Sequence, residues 1–103
     1  MSAPAYELAD ALAIHAENPR TFRVPSPAEV SGLAPGRLAK LIFHPADGVE
    51  GMPERMWVEV TAATDDGWEG TLANHPATLP LRHGDTVRFA ARNVCDTAGG
   101  YPA

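Results

Sequence analysis

Four histidines, one cysteine and three serines are among the side chains of this chain that could hold a metal or act as nucleophiles. A zinc site needs ligands that converge at helical or strand spacing, such as two histidines at i and i+4. His15, His44, His75 and His83 show no such spacing, although a loop folding back between His75 and His83 would bring those two together. A catalytic thiol needs an adjacent base and an electropositive setting. Cys95, followed by Asp96, has no motif that places one, and it reads as an inert core cysteine. Ser2, Ser26 and Ser31 lie outside any nucleophile elbow, and there is no glycine-rich phosphate loop. The expectation is a protein without catalytic activity, cofactor or metal.

The carboxylates suggest no acid–base pair either. Asp65 and Asp66 are adjacent in a turn and point apart, and Asp85 and Asp96 sit where turns favour Asp for its local hydrogen bonds. What remains is the stretch ERMWVEVT, residues 54–61. Strand alternation puts Met56, Val58 and Val60 on one face and Arg55, Trp57, Glu59 and Thr61 on the other. Trp57 thus stands among charges. Asn74 closes the next strand, WEGTLAN, and His75 follows it, so Arg55, Trp57, Asn74 and His75 are the candidate binding residues. Burying a tryptophan contributes roughly 2 to 3 kcal/mol, which would draw any spare apolar surface over Trp57.

These residues must be carried by a chain of 103 residues, the size of one domain spanning 1–103. Such a domain buries roughly 65% of its unfolded surface and needs no disulfide or metal. With one cysteine it can form no internal disulfide, which fits a reducing compartment. Thirteen acidic against eight basic residues give a charge of −5, which argues against nucleic acid and suits a basic protein partner. The excess is greatest in residues 54–103, with seven acids against four bases. The N-terminus lacks a basic leader and no stretch approaches the ~20 apolar residues of a membrane span, so a cytoplasmic location without membrane contact is expected.

Ten prolines and nine glycines cut the chain into short segments, which favours a β-rich core. Residues 4–17, PAYELADALAIHAE, are predicted to form an N-terminal helix within 1–20. Pro4 opens it, Pro19 stops it, and Leu8 and Leu12 lie on its apolar face. That face, or a loop, is the predicted cover for Trp57, which is expected to be mostly buried. Ser26, Pro27 and Glu29 have the spacing of a capping box and predict a second, short helix ended by Gly32. Strands are predicted over RLAKLIF, ERMWVEVT, WEGTLAN and TVRFAAR, with NVC as a closing element. Trp68, Gly70 and Leu72 are predicted to face the core with Met56, Val58 and Val60. HPADGVEGMP is predicted to be a polar loop, and residues 97–103 form a frayed tail. LAPGRLAKL (33–41) and LRHGDTVRF (81–89) share a glycine turn that leads into a strand.

The series GRLAKLIF, ERMWVEV, GTLANHP, LRHGDTVRF and NVCD resembles the YegJ-like family of small bacterial domains of unknown function. It is similar, too, to immunity-protein domains found beside polymorphic toxins. The resemblance covers residues 36–96 and rests on spaced positions that include Lys40, Glu54, Arg55, Trp57, Gly70, Asn74, Gly84 and Asp85. Arg37 follows Gly36 where the family usually has an acid. The expected architecture is α+β: a small, partly open antiparallel barrel or curled sheet of four to five strands with the N-terminal helix packed on it. The expected function is a protein-interaction module, immunity-like by resemblance. The alternative is a small-ligand or peptide-binding barrel with its cleft around Trp57.

Overall fold

The structure, a computed structural model, describes residues 5–99. Pro4 and residues 100–103 of the expected tail lie outside the described residues. In chain order the elements are β1 (Tyr6–Leu8), α1 (Ala11–Glu17), α2 (Pro27–Ser31), β2 (Leu38–Pro45), β3 (Glu54–Thr64), β4 (Gly67–Leu72), β5 (Thr86–Phe89), a 3-10 turn at Ala91–Asn93, and β6 (Val94–Ala98). One antiparallel sheet runs β1-β2-β3-β4-β5. β6 returns to the first long strand, so Leu38–Leu41 of β2 pair with β6 and Phe43–Pro45 pair with β1. The result is the expected α+β fold, a curled half-barrel.

Alternation along β3 sets the core. Met56, Val58 and Val60 are buried, as expected, and meet Ala39, Leu41 and Phe43 of β2, Leu72 of β4, and Val87 and Phe89 of β5. Trp68 packs against this cluster, also as expected, stacking on Phe89 at 5.6 Å between ring centroids and donating its indole N–H to the Leu33 carbonyl at 3.1 Å. Val30 of α2 and Leu33 close one end of the half-barrel, and Leu79 from the loop after β4 plugs the other.

The expected helix over 4–17 is split. Tyr6, Glu7 and Leu8 pair with Pro45, His44 and Phe43, and the helix starts only at Ala11, after Asp10 accepts the Ala13 N–H at 3.0 Å. Tyr6 and Leu8 alternate as a strand requires just as well as they fit a helix. Pairing with β2 and packing against the core decide between the two, because tertiary contacts override local propensity. The second helix is as predicted: Ser26 caps it, accepting the Glu29 N–H at 3.2 Å, and Gly32 ends it. At the other terminus, Thr97 and Ala98 belong to β6 rather than to a frayed tail.

The sequence echo corresponds to a repeated clamp. Gly36 and Gly84 have φ of 92° and 93°, a left-handed backbone that glycine adopts without penalty. Each glycine N–H donates to the carbonyl of a buried residue on the neighbouring strand, Gly36 to Val60 and Gly84 to Leu72. The N–H of that same buried residue donates back to the carbonyl of the residue after the glycine, Arg37 or Asp85. Two equivalent turns thus pin both edges of the β3–β4 hairpin.

Candidate functional site

Trp57 is half-buried on the outer face of β3, and α1 makes its main contacts elsewhere, with the 3-10 turn and β6. Its register partner on β2 is Lys40, whose Nζ lies 5.1 Å from the ring centroid, so a cation occupies the face that a ligand would need. Leu8 faces the core, while α1 packs beside the 3-10 turn and β6, which corrects the expected cover. The strand at Tyr6–Leu8 is the reason. It breaks the helical phase that would have stacked Leu8 and Leu12 on one stripe.

Asn74 does meet Trp57, through the backbone. Its side-chain carbonyl accepts the Trp57 N–H, and the Ala73 N–H donates to the Trp57 carbonyl, so the side chain extends the β3–β4 ladder past the end of β4. Asn74→Ala leaves that N–H unpaired in a half-buried position and is expected to cost about 1 to 2 kcal/mol, read as a lower urea midpoint.

Arg55 turns to a different partner, with its guanidinium 5.4 Å from the Phe22 ring. His75 is exposed and stacks on His83, centroids 4.9 Å apart and rings 19° from parallel, the approach that the intervening loop allows. The four candidates therefore do not form one site: Asn74 meets Trp57, while Arg55 and His75 turn to Phe22 and His83. Cys95 is half-buried beside them. Burial pushes its thiol up, Arg55 and Lys40 pull it partly back, and Asp96 adds to the rise, which keeps it a poor nucleophile at neutral pH. Among the described residues, no three His, Cys, Asp or Glu side chains gather as a metal site.

One polar centre was not singled out from the sequence. The Glu54 carboxylate accepts the N–H groups of Ala77 at 2.7 Å, Thr78 at 3.0 Å and Leu79 at 3.0 Å, and the Thr78 hydroxyl at 3.1 Å. The Ala77 bond is the largest cause of a pKa lowered to about 2; burial opposes it, and the Thr78 and Leu79 bonds add to it. The Thr78 hydroxyl also accepts the Met52 N–H at 3.0 Å, which ties the loop after β4 to the start of β3. This carboxylate is a fastening for the Leu79 plug. No local sequence signal marks it, because its donors lie more than twenty residues away.

The surface most suited to a partner lies elsewhere. Leu12, Val24, Pro25, Val30, Trp68 and Ala91 line an almost wholly apolar groove of about 300 Å³ between α1, α2 and the sheet. Leu12 is 48% exposed on its rim. Trp68 forms part of its wall and is fixed there by the Leu33 carbonyl and the Phe89 ring. The one hydroxyl of the groove, on Ser31, is turned to the Ala28 carbonyl at 3.1 Å, so the groove offers mainly shape and desolvation.

Compared with known proteins, the chain matches no family model, no curated protein and no solved structure. Among the described residues no helix is long and apolar enough to cross a membrane.

Proposed function

We propose that this protein is a non-enzymatic interaction module that seats an apolar side chain of a protein partner in the groove between α1, α2 and Trp68. The observation that carries the reading is Leu12, a large apolar side chain 48% exposed beside a preformed apolar wall. Preformed walls lose little entropy on binding, and anchors that fill such pockets dominate interface energetics. The net charge of −5 supports a basic partner through long-range steering. The resemblance of residues 36–96 to immunity-protein domains supports a toxin as the class of partner. The reading that placed a ligand cleft around Trp57 has no comparable support, since Lys40 sits over that ring.

The test is calorimetric titration with the products of neighbouring genes. Micromolar binding to one of them is expected, weakened at least about tenfold, or about 1.4 kcal/mol, by Leu12→Asp. Leu12 is exposed, so that variant keeps the fold. Absence of binding to every neighbour product, or binding indifferent to Leu12→Asp, would sink the proposal.

A further inference from the structure

The half-barrel leaves a second surface, independent of the groove, at the seam between its two outer strands. β1 and β5 are not paired with each other, and the space between them is a cleft of about 740 Å³ lined by residues that include Tyr6, Leu8, Leu81, Thr86, Arg88 and Arg92. The Ala5 carbonyl accepts from Ala46, just past β2, and the Ala9 N–H donates to the Ile42 carbonyl of β2, so the main-chain groups of Tyr6 and Leu8, on the alternate positions, point away from β2 into the seam. On the facing edge the Asp85 carbonyl accepts from Leu72 of β4, and the Phe89 carbonyl lies towards β4, where a Cβ on Gly67 would stand. The main-chain groups of Thr86 and Arg88, on the alternate positions, therefore point into the same seam.

Strand direction determines what fits there. Each step from β1 to β5 is antiparallel, and four reversals leave β1 and β5 running the same way. A strand running the opposite way between them would be antiparallel to both and would complete the ladder on both edges. Charge sets its register. Arg88 is held by Glu69 at 3.0 Å, while Arg92 has no ion-pair partner among the described residues. Glu7 lies lower on the β1 lip, opposite His44, whereas Arg92 stands near Asn93, whose amide donates to the Ala9 carbonyl. We propose that this seam takes an extended peptide strand from a partner protein, antiparallel to β1 and β5, with an acidic side chain near its start beside Arg92 and a basic one further on beside Glu7.

The full chain, isotope-labelled, is titrated with an acetylated and amidated peptide of about five residues in the order glutamate, valine, threonine, valine, lysine. Binding is expected to slow hydrogen exchange at the amides of Leu8, Thr86 and Arg88. Exchanging the glutamate and lysine is expected to weaken binding at least about threefold, and Arg92→Glu to do the same. Thr86→Pro removes one outward N–H without touching the β4 ladder, and is expected to weaken binding about tenfold while the thermal midpoint stays near that of the parent. Leu12→Asp is expected to leave binding unchanged. The proposal is overturned by unprotected amides at millimolar peptide, by equal affinity for the two charge orders, by binding that follows Leu12, or by protection that instead tracks formation of a dimer of this chain.

Discussion

Gly70→Ala is expected to destabilise the fold by more than about 3 kcal/mol. Gly70 is buried on β4 opposite Val60, next to the register shift between Val60 and Ala62 of β3. A Cβ there would collide with the Glu59 carbonyl oxygen and lie 2.7 Å from Cγ1 of Val58. The first is main chain and the second a core side chain, so neither can move aside. The absent side chain lets β3 and β4 curl tightly enough to make a half-barrel. Gly99→Ala meets nothing within 4 Å and is expected to change stability by less than about 0.5 kcal/mol. Urea midpoints of the two variants make the comparison, and equal midpoints would refute the packing account.

Glu54→Gln is expected to cost about 2 kcal/mol at neutral pH, a figure discounted for the solvent that screens a surface carboxylate. A glutamine offers one acceptor oxygen where the carboxylate offers two, and it carries no charge for the amides of Ala77, Thr78 and Leu79. The pH dependence follows from the direction of the shift. The folded pKa of about 2 lies below the ordinary value of 4.5, so the contribution is fully present above about pH 5. It fades as pH falls towards 2, when the folded state loses the charge that the amides prefer. Stability measured from pH 7 to pH 2 should therefore decline more steeply in the parent than in Glu54→Gln, with the two curves converging at the acid end. A constant gap across that range would show that the carboxylate charge is not what holds the loop.

Several features of this fold were legible in the sequence because they depend on near neighbours. Period-two alternation placed Met56, Val58 and Val60 inward, Ser26 and Glu29 marked the cap of α2, and the matched glycines at 36 and 84 marked two like turns. The first helix was misplaced in its opening residues because Tyr6 and Leu8 satisfy both periods, and the deciding partner, β2, begins thirty residues later. That misplacement carried over to the site. With Tyr6–Leu8 in a strand, Leu12 moves to the rim of a groove and Trp57 is left to Lys40. The Glu54 fastening and the groove were hidden for the same physical reason. Each is assembled from segments that come together only when the sheet curls, and no local pattern of residue types records that meeting.

In the proposed function a partner is seated at Trp68 and Leu12 rather than on the Trp57 face. The two tryptophans provide a direct readout, because each indole N–H gives its own resonance in a nitrogen–proton correlation spectrum. Leu33 holds the Trp68 indole in the groove wall, and Trp57 lies under Lys40 on the outer face. Titrating the labelled protein with the neighbour-gene product that binds it should shift the Trp68 indole and the amides of Leu12, Val30 and Ala91, while the Trp57 indole stays in place. A shift of the Trp57 indole together with Lys40 and Arg55, with Trp68 unmoved, would contradict the account.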